Sequence, residues 1–372
     1  MDPSSQPSRL SRRRRILFAF ITVSLTVISV FLVSEILMRW YGFRPWAPLP
    51  LFIAKDPPGP YFQAHPTRGF SHVPGRSRLT LVGDYTFRVT HRDDGLRITQ
   101  PLTTPSLVPR KQIWIFGCSF THGFSVSDEG TYPWILQSKL PDYEVVNFGT
   151  DGYGDVQSLI QFRETLKDGR KPAVVVVAYA HFHDLRNAMT RTWRKNLLGD
   201  SRIGPINCPY GKLSPDGKLV IVSEVVRYPG EFLLRHSALL NYLDERLNSY
   251  LNEKYDEPPR GSSTSTTHEV SKAVLLEFWD ECKANGIPFI LAGISDDPRT
   301  AEMLDYFKSK GAPTVDISVD RRIIENTNFP FDWHPSVRAN RQTAQKLADF
   351  LTAGFVDHAD PAKPLDSTPA PR

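Results

Sequence analysis

The feature that most constrains the fold is a series of five short, continuously apolar segments separated by amphipathic stretches. The segments are IWIFG (113–117), EVVNFG (144–149), AVVVVAYA (173–180), PFILAGI (288–294) and PTVDIS (313–318). Continuous rather than alternating hydrophobicity is typical of strands that are buried on both faces. The intervening helix candidates are 131–140, 155–168, 267–285, 299–310 and 336–355. The pattern predicts an α/β domain over 111–356, with a parallel sheet and helices on both of its sides.

Other segments flank or interrupt this alternation of strand and helix candidates. Residues 39–110 are rich in proline and hold short strand-like pieces, so we interpret them as a stalk and an N-terminal wrapping segment. An insertion at about 189–267 contains a hairpin-like stretch (KLSPDGKLVIV), a helix candidate at 233–253 and the low-complexity sequence GSSTSTT. Residues 357–372 are polar and proline-rich, and we expect them to be disordered.

The first 15 residues carry most of the net charge. They contain five arginines and one aspartate, a net charge of +4, whereas the whole chain carries +5. The other 357 residues are therefore nearly neutral, and the isoelectric point near 9.0 reports a basic leader rather than a basic binding face. We expect no nucleic-acid partner.

Residues 16–38 are predicted to form a transmembrane helix. Fourteen of the 19 residues from Ile16 to Ser34 are apolar and none is charged. A helix of about 20 residues spans the hydrocarbon core, and the arginines before it place the N-terminus in the cytoplasm. The competing interpretation is a cleavable signal peptide, but the run is long and no A-x-A-like site follows it. We therefore expect a single-pass anchor in the lipid bilayer, with a periplasmic or extracellular body.

Three cysteines in an exported chain leave at least one unpaired. Cys208 and Cys282 could form a disulfide, which the sequence alone does not decide. Cys118 lies in the first of the motifs that carry chemistry.

The end of the first predicted strand carries the sequence GCSFTHG. A serine between a buried strand and a helix, such as Ser119, can be presented to a cleft, with helix-start amides close enough to hold an oxyanion. The alternative is that Ser119 only caps the next helix. Cys118 is expected to point the opposite way, towards the core.

The sequence FDWHPS precedes the last predicted helix. Asp332 and His334 are two residues apart, so the carboxylate can fix one imidazole nitrogen while the other accepts a proton from a nucleophile. The alternative is an ordinary loop in which Pro335 opens the helix.

Two further strand ends carry NFGTDGYG (147–154) and AYAHFHDLRN (178–187). Glycines such as Gly152 allow backbone amides to face a ligand. His181, His183 and Asp184 suggest a metal site, but no second cluster completes a ligand set, so we predict no metal. The chain has no phosphate-binding loop or cofactor fingerprint, and we predict no cofactor.

Together these blocks resemble the SGNH (GDSL-type) hydrolase superfamily over roughly residues 85–355. GCSFTHG is similar to its first block, with Cys118 where the family usually has aspartate. NFGTDGYG and DWHPS look like its second and last blocks, and HRDDGLRI (91–98) looks like the segment that precedes the hydrolase domain in membrane-anchored members. The resemblance implies a three-layer α/β/α fold with a five-stranded parallel, flavodoxin-like sheet.

The resemblance also implies a mechanism. Ser119 would be the nucleophile, His334 the base and Asp332 the residue that orients His334. The amides of Ser119 and Gly152 would form the oxyanion hole, together with His183, which stands where the family usually has asparagine. A neutral histidine can donate the same kind of hydrogen bond.

Three functions are compatible with these features. The first is a membrane-anchored, extracytoplasmic serine esterase that acts on an acylated carbohydrate or lipid. The second is an O-acyltransferase that uses the same triad to modify a cell-envelope or secreted polysaccharide. The third is an inactive binding protein of the same fold. Trp193, Trp279 and Trp333 are candidates for a sugar site, although a tryptophan is more often part of the core.

Overall fold

The computed structural model describes residues 11–47, 52–102, 110–199, 206–256 and 266–356 of the chain. Within these ranges the strands are β1 (Ala54–Asp56), β2 (Phe62–His65), β3 (Gly69–His72), β4 (Gly75–Thr80), β5 (Thr86–His91), β6 (Lys111–Phe116), β7 (Tyr143–Asn147), β8 (Val174–Tyr179), β9 (Asn207–Leu213), β10 (Leu219–Val225), β11 (Phe289–Gly293) and β12 (Thr314–Asp316). The α-helices are α1 (Arg12–Trp40), α2 (Ser119–His122), α3 (Tyr132–Lys139), α4 (Asp155–Lys167), α5 (His183–Asn187), α6 (Arg191–Gly199), α7 (Glu231–His236), α8 (Ala238–Asp256), α9 (Thr266–Ala284), α10 (Pro298–Ser309) and α11 (Val337–Gly354).

The larger of two compact units, residues 49–227 and 253–372, contains the predicted sheet. Its five strands are ordered β12-β11-β8-β6-β7, and every neighbouring pair is parallel. Each strand coincides with one of the five apolar segments of the sequence. The predicted fold class, a five-stranded parallel sheet in an α/β/α arrangement, is confirmed.

Two apolar cores cover the two faces of this sheet. Trp114 and Phe116 of β6 pack with α4, α9 and α10 on one face. Ile113 and Ile115 of the same strand pack with α3 and α11 on the other. Side chains alternate between faces along a strand, and here both sets are apolar because helices cover both faces.

Local sequence signals fix where three of the covering helices begin. The side chains of Thr131, Asp297 and Ser336 each accept a hydrogen bond from a backbone N–H in the first turn of α3, α10 and α11. In α3 and α10 a proline also occupies the first turn, where its missing N–H costs nothing.

The segment before the sheet forms two small antiparallel sheets, β1-β4-β5 and β2-β3. Their apolar side chains share a third core with the hairpin β9-β10. The segment from 91 to 97 then runs beside β7 through a bridge between Arg97 and Asn147. Most of GSSTSTT and all of the predicted tail at 357–372 lie outside the described residues.

The smaller unit, residues 1–48 and 228–252, contains α1, α7 and most of α8. Glu35 of α1 accepts hydrogen bonds from the amides of Ala238 and Leu239 and from the Ser237 hydroxyl, and so caps the start of α8. The predicted apolar segment at 16–38 is helical throughout. Among the described residues, α1 is the one helix long and apolar enough to cross a membrane, a test that a signal sequence also passes.

The structure leaves the three cysteines unbridged. Cys208 and Cys282 are both free and buried, in different cores, so the disulfide left open by the sequence is not formed.

Candidate active site

Ser119 follows the carboxyl end of β6 and is only 7% exposed. Ser119 is the first residue of the short helix α2, and Cys118 before it is extended. A side chain at Gly117 would place its Cβ 2.2 Å from the Thr121 hydroxyl, so this turn requires glycine. Gly123 then ends α2 at φ +89°, a backbone conformation that favours glycine.

Ser119, His334 and Asp332 lie in one hydrogen-bonded chain. His334 Nε2 is 2.9 Å from the Ser119 hydroxyl, and His334 Nδ1 is 2.6 Å from Asp332 Oδ1. The same Asp332 oxygen accepts the His334 backbone N–H at 2.7 Å. Ser119 and His334, which are 215 positions apart in the sequence, are thus brought together with the spacing that proton transfer from serine to histidine requires.

Two residues with no sequence signal hold Asp332 in place. The Ser125 hydroxyl donates to Asp332 Oδ1 at 3.1 Å, and the Asn328 side-chain amide donates to the Ser125 hydroxyl at 2.7 Å. Although burial opposes it, hydrogen bonding and charge from His334 and the bond from Ser125 lower the pKa of Asp332. The carboxylate is therefore kept ionised, the form that orients and stabilises a protonated histidine.

The loop after β7 packs directly on the Ser119 turn. The Thr150 amide donates to Gly117 O at 3.1 Å, and a Cβ on Gly149 would lie 2.4 Å from the His122 nitrogen. Two residues further on, Gly152 has φ +81°, with Phe70 and Trp193 beside it. The structure thus brings this loop against the Ser119 turn, and the oxyanion role of the Ser119 and Gly152 amides stays a prediction.

His183 is fully buried, and its partners are groups other than the Ser119 hydroxyl. Its Nδ1 lies 3.0 Å from Asp155 Oδ1, whereas its Nε2 has no hydrogen-bond partner among the described residues. Burial alone would lower the pKa of His183, but Asp155 and Cys118 raise it to about 9. Burial likewise opposes ionisation of Cys118, yet His183 and Arg186 lower the pKa of this thiol to about 6. The oxyanion role of His183 stays a prediction.

The structure does not group the residues that suggested a metal site in the sequence. His181 pairs with Asp297 at 2.8 Å, while His183 pairs with Asp155. Asp184 accepts from Tyr179 and faces His268 at 2.9 Å. Each member therefore has its own separate partner.

A different histidine cluster, which no sequence motif predicted, includes His122 of the Ser119 helix. His72, His91 and His122 are buried, and one ring nitrogen of each lies within 4.8 Å of those of the others. Burial lowers the pKa of His122 to about 3 and also lowers that of His91. Two of these histidines come from the N-terminal strands, which contribute no recognisable catalytic motif.

Arg97, in the segment HRDDGLRI, is buried and braces the turn that follows α2. Its guanidinium donates to Asp128 at 3.0 Å, to His122 O at 3.1 Å and to Val126 O at 2.7 Å, and it also bonds Gly123 O. A buried arginine with all these partners fixes the backbone beside the nucleophile.

An exposed aromatic pair borders the triad. Trp333 is 60% exposed, and its ring centroid lies 4.8 Å from that of Phe329, which is 47% exposed. Of the other two tryptophans singled out in the sequence, Trp279 packs against Phe289 and Phe307, whereas Trp193 lies beside Gly152. Trp333 is therefore the tryptophan next to the triad that solvent reaches.

Comparison with known proteins gives matches among solved structures only. No protein-family model matches the chain, and no curated protein matches it. Similar structures include a member of the lipolytic protein G-D-S-L family from Veillonella parvula, with 10% identity, 64% of this chain and 97% of that chain covered, and a TM-score of 0.37. A GDSL-like lipase from Bacteroides thetaiotaomicron has 14% identity, 64% and 86% coverage, and a TM-score of 0.35.

A psychrotrophic esterase from Pseudoalteromonas sp. matches with 12% identity, 65% and 97% coverage, and a TM-score of 0.35. The two GDSL proteins carry the family name that the sequence motifs of this chain resemble.

Proposed function

We propose that this protein is a serine esterase of the SGNH type, which hydrolyses an O-acyl ester through an acyl-enzyme. The observation that carries the proposal is the continuous chain from the Ser119 hydroxyl through His334 to Asp332, with contacts of 2.9 and 2.6 Å. A serine that only capped a helix would need neither partner.

In the first step the Ser119 oxygen attacks the ester carbonyl while His334 Nε2 takes its proton. The carbonyl π electrons move to the oxygen, and the amides of Ser119 and Gly152, with His183, are the proposed donors to this oxyanion. Collapse expels the alcohol, which receives the proton from His334 and leaves an acyl-Ser119 ester. Water, deprotonated by His334, then attacks this ester and releases the acid.

The surroundings of the triad support an acylated carbohydrate or lipid as the substrate. The exposed faces of Trp333 and Phe329 offer an apolar platform next to His334. Aromatic faces pack against the C–H faces of sugars and against acyl chains alike. Solvent reaches His334, whose side chain is 25% exposed, and this supports water as the acceptor of the acyl group.

The test is the release of p-nitrophenol from p-nitrophenyl acetate by the full chain in detergent, compared with Ser119→Ala. We expect hydrolysis by the wild type and its loss in the variant. Ser138→Ala, at an exposed serine on α3, is the matched control and should retain activity. Equal rates for the wild type and Ser119→Ala would contradict the proposal. Product formation only when an oligosaccharide acceptor is added would favour the O-acyltransferase instead.

We further propose that α1 anchors the protein in a membrane, and the arrangement of α8 supports this. In α8 the polar residues Asn241, Asp244 and Asn248 are buried, whereas Leu243 and Leu247 are exposed. Tyr228 supplies hydrogen bonds to two of these buried side chains: its hydroxyl donates to the Asp244 carboxylate and accepts from the Asn248 amide. A helix with polar residues inside and leucines outside is suited to contact with lipid rather than water.

Because Glu35 of α1 caps α8, the exposed leucines lie near the end of the proposed membrane helix. Spin labels on cysteines introduced at Leu247 and Glu245 test this in proteoliposomes, since the three native cysteines are fully buried. We expect the label at 247 to collide more with oxygen and the label at 245 more with a water-soluble nickel chelate. Equal exposure to the nickel chelate would contradict lipid contact.

A further inference from the structure

Two buried histidines near Ser119, His91 and His122, face each other, and the outer nitrogen of each ring lies close to a hydrogen-bond acceptor. His91 Nδ1 lies 3.2 Å from the Val73 carbonyl oxygen, and His122 Nδ1 lies 3.0 Å from the Asp151 carboxylate. Between the two rings, His91 Nε2 and His122 Nε2 face each other at 2.9 Å. His91 is 5% exposed and His122 is 0% exposed, so both imidazole rings are shielded from bulk solvent.

Two neutral imidazole rings cannot satisfy all the hydrogen-bonding groups in this arrangement. Each neutral ring carries one proton, and both outer partners, a carbonyl and a carboxylate, only accept hydrogen bonds. If both rings donate outward from Nδ1, two lone pairs face each other across 2.9 Å. If either ring instead donates inward from Nε2, its bare Nδ1 faces an acceptor. Every neutral arrangement therefore leaves one unfavourable contact, which a cation between the Nε2 atoms removes.

The outer contacts are those that metal-binding histidines make. A histidine that ligates a metal through one nitrogen usually donates the other N–H to a carboxylate or a backbone carbonyl. His122 has the carboxylate of Asp151 in this position, and His91 has the carbonyl of Val73. Asp151 Oδ1 and His122 Nδ1 have no other partner among the described residues. Both rings thus point Nε2 at the space between them, where a metal would bind.

A third imidazole, that of His72, lies close to the space between the Nε2 atoms of His91 and His122. His72 Nε2 is 3.2 Å from Asp151 Oδ2, and its ring stacks on His91 with centroids 4.3 Å apart. The His72 ring also stacks on His122, with centroids 4.3 Å apart, and one ligand atom from each of the three histidines falls within 4.8 Å of the other two. Asp151 keeps the Tyr61 hydroxyl, at 2.9 Å, as a partner.

We propose that His91 and His122, with His72 as the third ligand, bind a divalent transition-metal cation of the Zn²⁺ class. Imidazole nitrogens are the ligands such borderline ions favour, at about 2.0–2.1 Å. The dication is partly balanced by the buried carboxylate of Asp151. The site goes beyond the proposed esterase chemistry, which needs no metal.

The position of the cluster gives the metal a structural effect on the active site. His122 is three residues after Ser119 in α2, and Asp151 directly precedes Gly152. A metal held by His122, with Asp151 as its outer partner, ties the nucleophile turn to the proposed oxyanion loop. These histidines are therefore positioning residues rather than catalytic ones.

The test is Zn²⁺ binding by the full chain in detergent after chelator treatment, with Co²⁺ as a spectroscopic probe. We expect one equivalent of Zn²⁺ per chain, a rise in Tm on its addition, and the visible absorption of Co²⁺ bound by nitrogen ligands. His91→Gln and His122→Asn should each weaken Zn²⁺ binding by about 100-fold or more. His236→Ala, at an exposed histidine whose ring contacts the Phe232 carbonyl oxygen of its own helix, is the matched control.

Two further variants separate the loss of Zn²⁺ binding from misfolding and from the loss of esterase activity. If the ligand variants do not fold, Asp151→Asn removes only the outer partner and should weaken Zn²⁺ binding by about 10–100-fold. Ser119→Ala should bind Zn²⁺ like the wild type, so failure of the esterase proposal would not affect this result. A folded wild type that takes up no Zn²⁺ or Co²⁺ would overturn the metal site. A proton shared by His91 Nε2 and His122 Nε2 would then account for their 2.9 Å contact. Equal binding by the wild type and His91→Gln would overturn it as well.

Discussion

At the scale of single residues, Asp332 has the environment that matters most for the proposed chemistry. It accepts hydrogen bonds from the His334 ring, the His334 amide and Ser125. Asp332→Asn would favour the wrong tautomer of His334, and we expect kcat to fall by about 10³–10⁴-fold. Ser125→Ala removes one bond and leaves the charge, so a much smaller loss is expected. Steady-state kinetics with p-nitrophenyl acetate measures both, and equal losses would contradict the assigned role of Asp332.

His183 offers a second residue-level prediction. If it donates to the oxyanion, His183→Ala should lower kcat by about 10²–10³-fold. His183→Asn supplies an amide donor at the same position and should retain most of the activity. Both variants remove the imidazole that contacts Asp155 and Cys118, so this structural effect is shared between them. Equal losses in the two variants would mean that His183 only supports the fold.

The sequence predicted the three residues of the proposed triad but few of the residues that position them. Ser119, Asp332 and His334 were recognisable because each stands in a motif next to a strand or helix end. Ser125 and Asn328 are in no motif, and their contact joins loops that are 203 residues apart. His72 and His91 come from small antiparallel sheets whose packing on the Ser119 turn leaves no periodic trace in the sequence.

At the scale of elements, the five strands and their helices were predictable because burial on both faces produces continuous apolar runs. α8 was harder to interpret, since its buried stripe is polar and its exposed stripe apolar. The pattern of α8 has the period of a helix, but periodicity does not say which side meets the protein.

The start of α10 gives an element-level prediction with a defined pH dependence. Burial opposes the charge on Asp297, but hydrogen bonds from His181 and Thr300 lower its pKa. A carboxylate whose folded pKa lies below its unfolded value, about 3.9, stabilises the fold above that pH and loses this effect as pH falls. Asp297→Asn should therefore reduce the free energy of unfolding most near neutral pH, and less below about pH 4.

Asp297→Ala separates the charge from the helix cap. It also removes the oxygen that accepts the Thr300 N–H, a loss of about 1 kcal/mol that persists at low pH. Urea denaturation of the full chain in detergent, followed by tryptophan fluorescence, measures both variants. A destabilisation by Asp297→Asn that does not change with pH would contradict this interpretation.

At the scale of the whole molecule, the proposed anchor predicts an exported body that stays attached to the membrane. A reporter enzyme that needs an oxidising compartment, fused after Val356, should be active in a bacterial host. Deletion of residues 16–38 should abolish that activity. The fusion should also sediment with membranes at its full mass. A shortened, membrane-free product would show instead that the leader is a cleaved signal peptide.

The most direct test of the central claim is covalent trapping of the nucleophile. A fluorophosphonate reacts with a serine that a neighbouring histidine activates, and peptide mass spectrometry locates the adduct. We predict one adduct per chain, on Ser119, with none on Ser119→Ala and a strongly slowed reaction in His334→Ala. An adduct on another residue, or equal labelling of the wild type and Ser119→Ala, would contradict the account.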